Sequence, residues 1–286
     1  MSLTLVQRRG DREGQRFERE EFLAKILETS KGYSQRKHIA LIGEPGAGKT
    51  TLLQTIAFRI LDNHLGLPIW ISLADLKKSD NKFQQLDDYL ESRWLKQADT
   101  KMRLTSAMKV EFWKQWEKEK VWLFLDGVDE VATDNYSDLQ NFFDWLPGST
   151  ANARVILTCR LNVWEAHINN WKFHEDWLDF DRWKFYQNWF NCDAYQLLDL
   201  IYPQQVKQFI DNGFNQPNLL AAPNANSLWE ELQSHKDKWL NNLVKNPLRL
   251  ALLCGSWQGE ELSFPKTKAG LYKRFLEAFY TCKQKF

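Results

Sequence analysis

The sequence predicts an α/β fold, in which a five-stranded parallel sheet is followed by an all-helical lid subdomain. A glycine-rich loop at 43–50 lies between a short apolar run and an amphipathic helical segment. Further apolar runs have the length of buried strands, and they lie at 67–73, 121–125, 154–159 and 195–200. From Pro203 onward the apolar residues recur at helical spacing instead, which marks the change from sheet to helices.

The loop reads Gly43-Glu44-Pro45-Gly46-Ala47-Gly48-Lys49-Thr50, which has the G-x-x-x-x-G-K-[ST] spacing of a phosphate-binding loop. Glycine has no Cβ, so the backbone can curl and present successive N–H groups to phosphate oxygens. Lys49 can bring its charge to the β- and γ-phosphates, and Thr50 can place its hydroxyl on Mg²⁺. We expect this loop, together with Thr51 in the helix that follows, to bind a nucleotide.

The segments on either side of the loop support that interpretation. The run 38–42 is apolar enough for one buried strand, and the segment 52–61 has apolar residues at helical spacing, followed by Gly66. Strand, glycine loop and helix is the context that the phosphate-binding interpretation requires. The alternative, a chance glycine-rich turn, does not account for this order.

Composition and charge exclude several classes of function. The chain has 286 residues, 43% hydrophobic and 26% charged, and its net charge of +1 creates no overall field for nucleic acid or anionic membranes. No apolar stretch reaches the length of a membrane span, and the basic N-terminus lacks the apolar core of a secretory signal. The four cysteines lie far apart without metal-ligand spacing, so we expect reduced thiols and a cytoplasmic location.

The predicted order of segments along the chain is an arm, a nucleotide domain and a lid. Residues 1–35 are expected to form a loose polar arm over 4–16 and an amphipathic helix over 17–27. The α/β domain is expected over 36–202 and the helical lid over 203–286.

A second motif follows the apolar run 121–125. It reads Asp126-Gly127-Val128-Asp129-Glu130, and a carboxylate at the C-terminal end of a buried parallel strand lies beside the phosphate loop in an open α/β sheet. Asp126 is therefore expected to bind Mg²⁺, and Glu130 to orient or deprotonate the attacking water with Asp129 in support. The alternative is an acidic turn that caps a helix.

The fourth predicted strand, 154–159, ends at Arg160. A polar residue and an arginine leaving the sheet at that point can reach the γ-phosphate, and we expect Arg160 to sense the state of the nucleotide. The alternative is a surface arginine or a structural ion pair.

A tryptophan-rich stretch over 161–190 has no clear periodic structure. Trp171, Trp177, Trp183 and Trp189 are spaced by six residues, and Trp164 precedes them. We interpret this stretch as an irregular insertion packed against the domain, and the alternative is an aromatic surface over 164–190 for a partner protein. Basic residues are too sparse there for a nucleic-acid platform.

Taken together, these motifs resemble the NACHT branch of the signal-transducing (STAND) P-loop NTPases, over roughly 36–280. The resemblance rests on five segments: the loop 43–50, Leu-Phe-Leu-Asp-Gly-Val-Asp-Glu at 123–130, Thr-Cys-Arg at 158–160, Asn-Pro-Leu-Arg-Leu at 246–250 and Leu-Tyr-Lys-Arg-Phe at 271–275. A small residue after the metal-binding Asp, with an acid two positions on, separates NACHT from ordinary AAA+ proteins. The residues of these motifs are most similar to those of bacterial, particularly cyanobacterial, members.

The resemblance implies a molecular switch that holds ATP or GTP with Mg²⁺, often rests as the ADP form, and oligomerises when a signal opens the lid. It implies that Pro247 contacts the base or sugar and that Arg160 is the sensor, with a role in bacterial defence or signalling. A winged-helix domain, a sensor array and an effector are not recognised here, so we expect a fragment of a larger protein whose signal and effector proteins lie outside it.

Three other functions are weighed against the switch. An AAA+ remodelling or loader ATPase would turn ATP over rapidly in a ring, and Asp126-Gly127-Val128-Asp129-Glu130 argues against it. A nucleotide-stabilised adaptor would use the surface at 164–190 as its output. A small-molecule kinase is disfavoured because the lid region shows no arginine-rich substrate clamp.

Overall fold

A computed structural model gives the fold of this chain. It divides into two compact units, the larger made of Leu5–Pro45 and Lys49–Leu197, and the smaller of Met1–Thr4, Gly46–Gly48 and Leu198–Phe286. The structure describes residues 3–9, 12–27, 38–76, 78–79, 82–83, 86–98, 105–118, 120–131, 142, 146, 153–165, 193–214, 224–235, 238–257, 264 and 267–283.

The larger unit is built on a seven-stranded sheet. In chain order its strands are β1 (Thr4–Arg9), β2 (Arg12–Glu18), β3 (His38–Gly43), β4 (Leu67–Ser72), β7 (Val121–Asp126), β8 (Arg154–Arg160) and β9 (Asp193–Leu197). Between β4 and β7 lie two short strands of a separate pair, β5 (Lys78–Ser79) and β6 (Lys82–Phe83). The order across the large sheet is β2-β1-β9-β3-β8-β7-β4.

Five of these strands, from β9 to β4 across the sheet, run parallel, as the sequence predicts. The prediction of a sheet limited to five strands is wrong, because β1 pairs antiparallel with β9 and β2 adds a further strand beyond it. The expectation of a loose arm over 4–16 is wrong for the same reason. The segment is mostly polar, but it contains Leu5 and Val6, which are both fully buried.

Several helices of the larger unit share one hydrophobic core with the strands of the sheet. The helices of this unit are α1 (Arg19–Leu27), α2 (Lys49–Asp62), α3 (Leu86–Tyr89), α4 (Leu95–Ala98), α5 (Ser106–Glu117), α6 (Val128–Val131) and α7 (Leu161–Val163). A π-helical turn, Leu90–Trp94, joins α3 to α4. β7 is apolar at its first five positions and all five are buried, as expected for a strand covered on both faces.

Two sequence expectations fall partly outside the described residues. Trp164 is buried in the core of the larger unit, which removes it from any exposed aromatic surface, and 166–192 lie beyond what the structure describes. Of the helix expected around 139–146, Phe142 and Leu146 are described, and both are buried.

The smaller unit is helical where it is described. Its helices are α8 (Gln204–Phe214), α9 (Asn224–Ser234), α10 (Lys238–Val244), α11 (Pro247–Ser256) and α12 (Lys268–Lys283). They enclose a core of their own, in which Trp257 is fully buried and its indole N–H donates to Ser227 Oγ at 3.1 Å. The function of this unit as a lid stays a prediction.

The buried N-terminal strand can be tested by deleting a core side chain from it. We expect Leu5→Ala to lower the free energy of unfolding by about 2–4 kcal/mol, because Leu5 is fully buried and its loss leaves a cavity. Chemical denaturation followed by circular dichroism measures the change. The control is Leu61→Ala on the outer face of α2, where the side chain is 48% exposed and the expected change is below about 0.5 kcal/mol. Equal changes in the free energy of unfolding for the two variants would favour a loose N-terminal arm over a buried strand.

Candidate functional site

The predicted phosphate loop leaves the sheet at Gly43, the last residue of β3, and enters α2 at Lys49. The Lys49 ammonium donates to the carbonyl oxygens of Gly43 at 2.9 Å and Glu44 at 3.0 Å. Partial burial lowers the pKa of Lys49, against the opposing effect of the nearby carboxylates of Asp129 and Asp126. The ammonium is thus held by the loop backbone, close to the carboxylates, and a polyphosphate would offer it stronger anionic acceptors.

Thr50 and Asp126 come together although 76 residues separate them in the chain. The Thr50 hydroxyl, in the first turn of α2, donates to Asp126 Oδ1 at 3.2 Å, and Asp126 is the last residue of β7. A hydroxyl and a carboxylate oxygen at this separation suit Mg²⁺, which takes oxygen ligands and completes its shell with phosphates and water. The described residues contain no cluster of three or more His, Cys, Asp or Glu that would hold a metal by itself. The Thr50 hydroxyl and the Asp126 carboxylate are nevertheless ligand types that fit a magnesium ion.

β8 lies between the strands that carry these two motifs. Its residue Thr158, which is 1% exposed, donates its hydroxyl to Asp126 Oδ1 at 2.6 Å. The same hydroxyl accepts the backbone N–H of Gly127 at 2.8 Å. Thr158 thus contacts both of the first two residues of the acidic motif.

Asp129 and Arg160 form a two-point contact. The Arg160 Nε lies 2.7 Å from Asp129 Oδ2, and the Arg160 backbone N–H donates to Asp129 Oδ1 at 3.0 Å. The Asp129 side chain is only 9% exposed, whereas that of Arg160 is 51% exposed. Asp129 therefore has both oxygens engaged by one residue, while part of the guanidinium faces solvent.

Glu130 lies over the turn at Gly127. Gly127 has φ +85°, and a Cβ on it would lie 2.9 Å from the carboxyl carbon of Glu130. The Glu130 backbone N–H donates to the Gly127 carbonyl at 2.9 Å, which closes the turn at the start of α6. Desolvation, followed by the negative charges of Asp129 and Asp126, raises the pKa of Glu130. A raised pKa at a carboxylate beside two others is typical of a residue that handles protons.

Gly46, Ala47 and Gly48 belong to the smaller unit, as does Pro247. Gly46 and Gly48 have φ of +79° and +94°, and Ala47 is buried. The Leu248 N–H donates to the Gly46 carbonyl at 3.2 Å, and a Cβ on Gly46 would lie 2.7 Å from the Leu248 Cβ. Pro247 is buried as the first residue of α11 and therefore lies one residue from a contact with the loop.

The structure thus brings together Lys49, Thr50, Asp126, Asp129, Glu130 and Arg160 in the larger unit. Sequence reasoning assigned no role to two residues with close contacts. One is Thr158, whose signal is a polar side chain in an otherwise apolar strand. The other is Asn246, a buried residue whose side chain accepts the Arg249 N–H at 3.2 Å and caps α11.

Comparisons with known proteins give a family match. Residues 37–171 match the NACHT domain family. No match was found among curated protein sequences. The described residues contain no helix long and apolar enough to cross a bilayer.

Similar folds occur among solved structures. The Walker-type ATPase PABY2304 of Pyrococcus abyssi has 16% identity and a TM-score of 0.52, with 94% of this chain and 74% of that chain covered. Orc1 of Aeropyrum pernix, solved in complex with DNA, has 13% identity and a TM-score of 0.49, with 91% of this chain and 65% of that chain covered. At these identities the likeness to the Pyrococcus ATPase shows a common fold and nothing beyond it.

The closeness of the Asp126, Asp129 and Glu130 carboxylates predicts that the site lowers the free energy of unfolding. The pKa of Glu130 is raised in the folded state, so the folded protein binds a proton there at a higher pH than the unfolded chain does. The charged carboxylate therefore lowers the free energy of unfolding, and this penalty is fully present at pH 7. Glu130→Gln removes the charge, so we expect its unfolding temperature at pH 7 to exceed that of the parent by up to about 2 °C. The difference should shrink as pH falls toward the ordinary pKa of a glutamate, about 4.3.

Differential scanning calorimetry between pH 4 and 8 measures this difference. The matched control is Glu117→Gln, which changes an exposed glutamate near the opposite end of β7 from the site. A Glu130 variant that is no more stable than the parent at pH 7 would contradict the electrostatic account.

Proposed function

Residues 37–171 form a NACHT domain, and from that premise we propose that the chain binds ATP with Mg²⁺ and hydrolyses it slowly, as a STAND-type signalling switch. The observation that supports this most is the meeting of Thr50 with Asp126 at 3.2 Å, because it joins the loop motif to the acidic motif. Lys49 and Thr50 would hold the phosphates and the metal, together with the backbone of 43–51. GTP is the alternative nucleotide, since none of these residues reads a base.

The proposed reaction is attack of a water oxygen on the γ-phosphorus. A bond forms between them, the bond from the γ-phosphorus to the β,γ-bridging oxygen breaks, and ADP leaves with that electron pair. Glu130 orients the water and takes its proton, a role that its raised pKa favours. Lys49 neutralises developing charge on the phosphates, and a bound Mg²⁺ would add to that neutralisation.

Slow turnover and sensing are linked in this proposal to Arg160. Its guanidinium is held by Asp129 at 2.7 Å, so a γ-phosphate has to compete with a carboxylate for it. The 51% exposure of the Arg160 side chain leaves room for that exchange. We infer that Asp129 supports catalysis by holding Arg160 in place, in addition to the charge it adds beside Glu130.

The remaining parts of the switch rest on the family. Pro247 would contact the base or sugar, activation would lead to self-association, and a signal or effector protein would engage the chain. A role in bacterial defence or signalling fits such a switch. Most of 164–190, the stretch that is the alternative aromatic surface for a partner, lies outside the described residues.

Two variants separate nucleotide binding from hydrolysis. We expect Lys49→Ala to weaken binding of a fluorescent ATP analogue by at least about 100-fold, because a charge-assisted contact to the phosphates is lost. Glu130→Gln should bind within about threefold of the parent and lose at least about 100-fold in phosphate release. GTP added as a competitor measures base preference.

Normal turnover of the Glu130 variant would remove Glu130 from the mechanism. Rapid constitutive turnover of the parent protein would favour the remodelling class over the switch. Undiminished binding by the Lys49 variant would contradict the nucleotide site itself.

Replacing Arg160 tests its role as a sensor. We expect Arg160→Ala to lower the ratio of the ADP dissociation constant to the ATP dissociation constant by about tenfold, because one charge-assisted hydrogen bond to the γ-phosphate is lost. Competition titrations give the two constants. Arg154→Ala is the control, since Arg154 begins the same strand and its guanidinium lies 4.9 Å from the ring centre of Trp122. An unchanged ratio would make Arg160 a structural ion pair.

A further inference from the structure

We infer that Thr158 is a positioning residue, whose hydroxyl sets both the magnesium-binding carboxylate of Asp126 and the turn that presents Glu130. This inference rests on the proposed function, since it concerns how the same site prepares for Mg²⁺ and nucleotide. Thr158 touches neither in this scheme, because its hydroxyl acts through the two residues that it contacts.

The Thr158 hydroxyl acts both as a hydrogen-bond donor and as an acceptor. Thr158 Oγ1 donates to Asp126 Oδ1 at 2.6 Å and accepts from the Gly127 N–H at 2.8 Å. A hydroxyl that donates to a carboxylate at this distance makes a short, charge-assisted bond. Because Thr158 is 1% exposed, water has little access to replace it. The hydroxyl therefore fixes its two partners relative to each other.

Two hydroxyls on different elements converge on one oxygen of Asp126. Its Oδ1 accepts from Thr158 at 2.6 Å and from Thr50 at 3.2 Å. Thr50 is itself a predicted metal ligand, and its oxygen lone pairs could bind the metal while its proton still donates to Asp126. Thr158 makes the shorter of the two bonds, from a buried position, and is therefore the contact that holds the carboxylate most firmly. Partners of this kind orient metal ligands and typically affect metal affinity by about 10–100-fold.

The same hydroxyl is linked through Gly127 to Glu130. The Gly127 N–H that Thr158 accepts belongs to the residue at φ +85°, over which the Glu130 carboxyl lies. The Gly127 carbonyl accepts the Glu130 N–H at 2.9 Å. One hydroxyl thus anchors the turn on one side, and the turn positions the glutamate on the other. A single loss at Thr158 should therefore disturb metal binding and water activation together.

The topology explains why this residue can do both. β8 lies between β3 and β7, with Leu125 opposite Leu157, so Thr158 follows directly beside the last residue of β7. On the other side Thr158 is opposite Leu41 of β3, two residues before the loop begins. A residue on a strand that does not lie between β3 and β7 cannot neighbour both of these strands.

The test separates the hydroxyl from the rest of the side chain. Thr158→Val keeps the branched shape and removes the hydroxyl, and Thr158→Ser keeps the hydroxyl. The measurement is binding of a fluorescent ATP analogue to the full chain, first in EDTA and then as free Mg²⁺ is raised. Phosphate release at saturating Mg²⁺ is recorded beside it.

We expect Thr158→Val to raise the Mg²⁺ concentration for half-maximal tightening of binding by about tenfold, and to bind within about twofold of the parent in EDTA. Thr158→Ser should lie within about threefold of the parent in Mg²⁺ requirement. The control is Thr55→Val, which removes a hydroxyl that donates to the Thr51 carbonyl on α2, and it should leave the Mg²⁺ requirement unchanged.

An unchanged Mg²⁺ requirement in Thr158→Val would overturn the inference while leaving the nucleotide site intact. If Thr158→Val does not fold, Thr158→Ala replaces it. If neither folds while Thr158→Ser does, the hydroxyl is structural and the inference fails. A parent protein that binds no nucleotide with or without Mg²⁺ would overturn the proposed function and, with it, this inference.

Discussion

The position of β8 between β3 and β7 is the constraint on which the site depends. The loop follows β3 and the acidic motif follows β7, so the two motifs end one strand apart instead of side by side. The space between them is filled by the end of β8, which supplies Thr158 and Arg160. A sheet with β3 directly beside β7 would bring the acids closer to Lys49 and leave these two side chains without a place. The strand order therefore determines which residues can act together.

Three acids share this small region, and each has a different environment. Asp126 accepts from two hydroxyls, Asp129 is paired with Arg160, and Glu130 has neither arrangement in the contacts described above. The raised pKa of Glu130 follows from that difference, since it is partly desolvated beside two charges that are better satisfied. Local surroundings, more than residue type, thus give the three acids different chemical character. Crowded charge in a functional site is one way in which function lowers stability.

Much of this arrangement could be predicted from the sequence because it depends on local signals. Each of three patterns predicts the structure of the segment that contains it. They are the glycine spacing of 43–50, the continuous apolar run before Asp126, and Pro247 at the start of a helix. The two N-terminal strands could not be predicted in this way. Their few apolar residues, Leu5 and Val6 among them, become meaningful only when β9 is present to pair with them. Propensity is a weak guide where a distant partner decides the conformation.

The role of Thr158 was hidden from the sequence for a related reason. A threonine near the end of a strand is ordinary, and its partner Asp126 lies 32 residues away. Nothing in the spacing shows that β8 inserts between β3 and β7, because strand order is a property of the whole sheet. Arg160 was easier to single out, since a charged residue that ends an apolar run stands out by itself. Its contact with Asp129 still required the structure.

The pairing of β1 with β9 has a consequence for how the chain is made. The Gln7 side chain donates to Asp193 across 186 residues, so β1 leaves the ribosome well before the β9 strand that it pairs with. At about 5–20 residues per second, that interval lasts on the order of ten seconds or more. During it β1 has β2 on one side, but the side that pairs with β9 is open, and a neighbouring nascent chain could pair with that side instead. The side of β1 that meets β9 is therefore exposed to wrong pairing during synthesis.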